Sequence, residues 1–162
     1  MAQPQKITPF LWFDSQAEEA ANFYVTLLPD SKVLSVTRYP EGAPVPPGTV
    51  MTAEFRLAGI TFTAMNGGPH FKLNEAFSIM VHCDGQAEVD ALWEKLTANG
   101  GQESQCGWLK DRFGLSWQIV PREFFELMKS GTPAQSQAVM GAMLKMKKFD
   151  VAGLQRAFSA GA

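Results

Sequence analysis

One five-residue stretch of this chain returns with four of its residues unchanged. Asp14-Ser15-Gln16-Ala17-Glu18 returns 70 residues later as Asp84-Gly85-Gln86-Ala87-Glu88. The likeness spreads outward from both copies. Ahead of each lies an apolar, strand-like run, residues 7–13 and 77–83, and behind each lies a helical pattern, residues 19–28 and 89–96, with Ala21 and Ala91 in register. Self-similarity of a strand-then-helix unit at fixed spacing marks a duplicated supersecondary module. The chain is therefore expected to build one unit twice.

Residues 7–13 are apolar at both alternating positions, the pattern of a strand covered on both sides. Ser15-x-x-Glu18 has capping-box spacing. The helix behind it is expected to reach about Leu28, with Ala20, Phe23, Tyr24 and Leu27 on one stripe. Residues 32–39, 50–57 and 60–65 read as strands, the last two joined by a short turn at Ala58-Gly59. Residues 40–48 hold four prolines and two glycines, which forbids a ladder or a helix. That segment is expected to be an exposed hairpin connection, long enough to serve as a lid.

Asn66-Gly67-Gly68-Pro69 breaks the pattern and opens a linker. The second unit repeats strand and helix, the helix running to Ala98 before the C-cap signal Asn99-Gly100-Gly101. Strands over 103–109 and 115–120 flank the turn Asp111-Arg112-Phe113-Gly114, in which Asp111 and Arg112 read as turn and surface residues. Beyond Pro121 the pattern is helical, over 123–128, 135–146 and 151–158, the last capped by Asp150. The division predicted is a first βαβββ module over 1–66, a linker over 67–76, a second βαβββ module over 77–121 and a helical extension over 122–162. Together they make one α+β domain.

At 162 residues there is room for one domain of the usual ~100–200 residues. A net charge of −2 and a pI near 5.7 leave no footprint for nucleic acid. Lys145, Lys147 and Lys148 fall late in a helical pattern, where cations complement the helix dipole. The start, residues 1–6, is polar, and no window approaches ~18 apolar residues, so no membrane segment is expected and the reading is cytoplasmic. Cys83 and Cys106 lack CxxC spacing and read as small core residues in a reducing compartment. Val139, Met140, Met143, Leu144 and Met146 leave their helix apolar on more than one side, which predicts core or subunit contact and a homodimer.

Paired βαβββ modules with an Asp-x-Phe-Gly turn before the final strand resemble the vicinal oxygen chelate superfamily of glyoxalase I, bleomycin-resistance proteins, fosfomycin-resistance enzymes and extradiol dioxygenases. Four stretches resemble its PhnB-like branch. They are Phe13-Asp14-Ser15-Gln16-Ala17-Glu18-Glu19-Ala20 with Phe23-Tyr24; Glu88-Val89-Asp90-x-Leu92-Trp93; the run from Cys106-Gly107-Trp108 through Asp111-Arg112-Phe113-Gly114 to Ser116-Trp117-Gln118; and Met146-Lys147-Lys148-Phe149-Asp150-Val151. That branch often carries the label 3-demethylubiquinone-9 3-methyltransferase. A Rossmann-like methyltransferase needs a Gly-rich turn after its first strand, whereas here Asp14-Ser15-Gln16 follows it and no glycine precedes Gly42. The label is read as lineage rather than activity.

The resemblance also implies a divalent metal held by His or carboxylate. Carried over position by position, its ligands fall on Pro9, Phe77 and Gln118, with Ala64, Met65 or Asn66 left open for the fourth strand. Proline and phenylalanine cannot coordinate an ion, so neither metal nor other cofactor is expected. His70, His82, Cys83 and Cys106 show no zinc-ribbon or HxxxH spacing. His82 is read as pointing away from the hollow of the curved sheet, and His70 as lying at its mouth.

If Pro9, Phe77 and Gln118 face that hollow, period two sends Leu11, Phe13, Ile79, Val81, Ser116 and Val120 the same way. The predicted ligand pocket is Leu11, Phe13, Met65, His70, Phe77, Ile79, Trp108, Ser116 and Gln118, largely apolar with a few orienting polar groups. Two classes of function stay open. One is a module that binds or sequesters a small, largely apolar molecule without converting it. The other is a metal-dependent lyase, isomerase or dioxygenase using different ligands. A scaffold whose hollow is filled by its own side chains is a third reading.

Overall fold

The repeated motif folds twice into the same topology in a computed structural model, which describes residues 4–162. The polar start expected over residues 1–6 lies outside the described residues at 1–3. The first unit, ending at Leu73, runs β1 (Phe10–Phe13), α1 (Ala17–Tyr24), β2 (Lys32–Arg38), β3 (Val50–Leu57) and β4 (Ile60–Asn66). The second, from Asn74, runs β5 (Ser78–Cys83), α2 (Gln86–Thr97), β6 (Gln102–Glu103), β7 (Trp108–Lys110) and β8 (Ser116–Pro121). It then adds α3 (Arg122–Ser130), α4 (Pro133–Met143) and α5 (Val151–Ala160).

Sheet order is β1-β4-β3-β2 in one unit and β5-β8-β7-β6 in the other, each with its first and last strands parallel and the rest antiparallel. The 70-residue register survives in the packing. Leu11 and Phe13 are buried, and so are their counterparts Val81 and Cys83. Both pairs face their helix. Phe13 stands beside Asn66, whose side chain bonds the start of α1, and Val81 stands beside Ile119 on the side that carries Trp93 of α2.

Three local expectations are corrected. Ser15 and Glu18 do not cap α1. The first helical N–H, of Ala17, donates instead to Asn66 Oδ1 at 2.8 Å, so the cap comes from the end of β4. The helix stops at Tyr24, before Leu28, although Tyr24 and Leu27 are buried as the stripe requires. The single strand over 103–109 is a hairpin. Cys106 at φ +58° and Gly107 at φ +81° reverse the chain, with Ser104 N–H donating to the Trp108 carbonyl at 3.0 Å.

One short segment ties the extension to the second unit by backbone hydrogen bonds. Cys106 and Gly107 N–H donate to the Met146 and Lys147 carbonyls, both at 2.8 Å. The Gln86 side-chain amide then clamps the next residues, donating to the Phe149 carbonyl at 2.9 Å and accepting from Val151 N–H at 2.8 Å. Asp150 makes no side-chain cap for α5, because Gln86 already satisfies its first N–H. Lys148 pairs with Asp90 at 2.7 Å and holds that carboxyl below its usual range. Helix α4 starts earlier than expected, since Thr132 and Gln135 form a capping box with Pro133 in the first turn. Of the Met-rich stripe, Val139 is buried, the methionines are half-buried and Leu144 is exposed.

Candidate functional site

A cavity of about 680 Å³ belongs to the first unit. The corner between β1 and α1 contributes Asp14 and Ser15, and the first turn of α1 contributes Glu18 and Glu19. The proline-rich loop supplies Pro44, Val45 and Pro46, and the chain after β4 supplies Gly67, Gly68 and His70.

The loop is held as a wall by its own hydrogen bonds. Tyr39 N–H donates to the Thr49 carbonyl at 2.9 Å, Arg38 reaches the Gly48 carbonyl at 2.8 Å, and the Thr49 hydroxyl donates to the Pro46 carbonyl at 2.6 Å. The floor is tied by Asn66. Its amide joins Ala17 N–H to the Val50 carbonyl, while its own carbonyl accepts from the Tyr39 hydroxyl at 2.6 Å. Gly67 has no room for a side chain, because a Cβ there would lie 2.3 Å from the Trp12 indole. That indole is pinned by its N–H to the Gly68 carbonyl at 2.9 Å and by the edge of Phe71. The cleft thus combines proline, valine and tyrosine surface with three carboxylates, and its lining contains no lysine or arginine.

The second unit has a smaller cavity of about 140 Å³ at the edge of β7, lined by Glu75, Gln102, Ser104, Trp108, Lys110 and Ser116 among others. Lys110 forms an ion pair with Glu75 and stands opposite Ser116 in the antiparallel register. Ser116 is 1% exposed, and its hydroxyl has no hydrogen-bond partner among the described residues.

Strand parity separates the predicted pocket residues. Leu11 and Phe13 lie in the core against α1, and Ile79 pairs with Trp117 on the α2 side of its sheet. Gln118 pairs with Met80 and Trp108, on the face away from α2, where its amide donates to the Ser78 hydroxyl at 2.9 Å. Phe77 precedes β5 and is exposed, and Met65 lies half-buried beside Trp12 on the face away from α1. Trp108 and Ser116 come together in the small cavity, and His70 lines the large one. A one-residue slip sends every side chain of a strand to the other face, and that slip separates Ile79 from Gln118. The sequence reading passed over Asp14, Glu18, Glu19 and Tyr39. The acidic first turn was a signal, but it reads equally as a complement to the helix dipole.

The same parity tests the metal. Pro9 and Phe77 have no donor atoms, and Gln118 lies on the strand face opposite to that of Ile79. Among the described residues no group of three His, Cys, Asp or Glu side chains is placed to hold an ion. The donor set does not fit the superfamily's metal. His82 shares the face of Gln118, contrary to expectation, with its ring 5.2 Å from that of Phe125. Burial pushes the Cys83 thiol up to about 12, so it is no nucleophile at neutral pH.

Asp111 is a buried residue rather than a surface one, at 2% exposure. One carboxylate oxygen accepts from Phe113 and Leu115 N–H at 2.9 and 3.0 Å, and the other from the Trp117 indole at 2.9 Å. Its role is to hold the turn between β7 and β8.

A profile of the family described as 3-demethylubiquinone-9 3-methyltransferase matches residues 5–120. A solved Bacillus cereus structure, described as a putative 3-demethylubiquinone-9 3-methyltransferase, PhnB protein, is 36% identical. It covers 72% of this chain and 99% of its own, with a TM-score of 0.67. A Pseudomonas aeruginosa protein is similar in fold at 20% identity and a TM-score of 0.59, covering 73% of this chain and 98% of its own. A glyoxalase/bleomycin resistance protein from Albidiferax ferrireducens matches more distantly, at 16% identity and a TM-score of 0.47 over 73% of this chain and 99% of its own. Comparison with curated proteins finds no match. The matched residues end within β8, so α3, α4 and α5 lie outside the family profile.

Proposed function

The chain belongs to the 3-demethylubiquinone-9 3-methyltransferase family, whose profile spans more than half of it, and from that premise we propose that it binds a small, largely apolar molecule without transferring a methyl group. The single observation that carries this reading is the 680 Å³ cleft beneath the proline-rich loop. Its volume falls in the range of about 300–1,000 Å³ typical of small-molecule sites. Its composition is of the same kind, with apolar loop surface for affinity and a few polar groups for orientation. The carboxylates of Asp14 and Glu18 in the lining favour a ligand that carries a cationic nitrogen, such as an aliphatic or aromatic amine.

Methyl transfer lacks support in the fold. Each sheet mixes parallel and antiparallel strands, and Asp14-Ser15-Gln16 stands where a doubly wound methyltransferase needs a Gly-rich turn. Metal-assisted lyase, isomerase or dioxygenase chemistry is disfavoured by the donor set at Pro9, Phe77 and Gln118.

A thermal-shift screen of apolar amines tests the reading. A ligand at 100 times its Kd stabilises the native state by about 2.7 kcal/mol, a readily measured rise in Tm. At least one amine is expected to raise the Tm of the natural protein and to lose that effect in Val45→Arg, which places a cation and bulk in the cleft. No rise with any amine, or a rise unchanged by Val45→Arg, contradicts the assignment. The reading includes a homodimer, supported by the exposed aromatic residues Phe10, Phe71 and Phe77. Light scattering is expected to give twice the chain mass of 17.8 kDa, and a monomeric mass at micromolar concentration contradicts the dimer.

A further inference from the structure

The small cavity at the edge of β7 is lined in part by Ser116. Ser116 is 1% exposed and its Oγ finds no partner among the described residues, a state that costs free energy unless something satisfies it. Lys110, directly across the strand pair, already holds one carboxylate, that of Glu75. Glu75 comes from the chain just before β5, and its side chain is 64% exposed, so water competes for it. Half-buried Trp108 lies on the same strand face as Lys110 and offers its indole to an apolar group.

We propose that this cavity is a second ligand site, for a small monocarboxylate whose carboxylate replaces that of Glu75 on Lys110 and accepts a hydrogen bond from the Ser116 hydroxyl. Glu75 is then a tethered competitor. The cavity volume of about 140 Å³ equals roughly four or five waters at about 30 Å³ each, which suits an acid of a few carbons. Lys110 holds the Glu75 carboxyl below its usual range, the behaviour of a site that favours a carboxylate in its charged form. The site lies wholly in the second unit and does not depend on the cleft in the first.

The full chain, labelled with nitrogen-15, is titrated with sodium propionate against sodium chloride at equal ionic strength, reading the Trp108 indole N–H. Saturable binding is expected, about fivefold tighter in Glu75→Gln, because the tethered carboxylate is gone. Adding Ser116→Ala to Glu75→Gln is expected to weaken binding about tenfold. That substitution removes the unpartnered hydroxyl at nearly constant shape, and an unchanged Tm confirms that the fold persists. The proposal is overturned if Glu75→Gln binds no tighter than the natural protein, if Ser116→Ala leaves affinity unchanged, or if chloride produces the same shifts as propionate.

Discussion

Asp111→Ala is expected to lower unfolding stability by about 3–5 kcal/mol, the usual cost of removing one member of a buried, hydrogen-bonded charged group. The Phe113 and Leu115 amides and the Trp117 indole would each lose an acceptor at a site that is 2% exposed. Trp117 is itself fully buried in the core of the second sheet, so the damage passes from a turn to the core. Asp111→Asn is expected to cost less. Its carbonyl can still accept from both backbone amides, while its NH2 meets the indole N–H as a second donor. Urea denaturation of the three proteins checks the order. Equal stability of Asp111→Ala and the natural protein would mean that the turn does not depend on this carboxylate.

Gly107→Ala is expected to be similarly costly and to act at a different place. The residue sits at φ +81°, where a side chain is strained by roughly 1–2 kcal/mol, and its Cβ would lie 2.4 and 2.6 Å from carbons of the Phe149 ring. Overpacking adds about 1–3 kcal/mol, since Phe149 is buried and held against Phe124. The substitution should therefore loosen the C-terminal helices from the second unit. Amide exchange should speed up first in α3 to α5. Phe149→Ala removes the obstruction, so Gly107→Ala combined with Phe149→Ala should cost less than the sum of the two single changes. Strict additivity would contradict the contact.

These two residues also mark where the sequence was legible. The duplication was, because a strand, a helix and their buried parity repeat together, as Leu11 and Phe13 match Val81 and Cys83. Strand β3 ends where its turn at Ala58-Gly59 says it should, since both residues adopt positive φ. What stayed hidden was long-range. Asn66 capping α1, Gln86 capping α5 and the burial of Asp111 all depend on partners that no local pattern names. The pocket expectation placed three of its side chains by parity alone. It extrapolated side-chain parity from Pro9 and Phe77, residues just outside their strands, and placed Leu11, Phe13 and Ile79 on the face opposite to the one they take. The capping box at Thr132 and Gln135 was readable from its spacing, and the helix was still begun two residues too late.

The central claim is that the cleft between the first turn of α1 and the proline-rich loop is a binding site for an apolar amine. Nitrogen-15 NMR of the full chain, titrated with the best amine from the thermal screen, addresses it directly. Saturable shifts are predicted at Asp14, Glu18, Val45 and His70, with a shared Kd. Shifts confined to residues outside the cleft, or none at saturating amine, would contradict it.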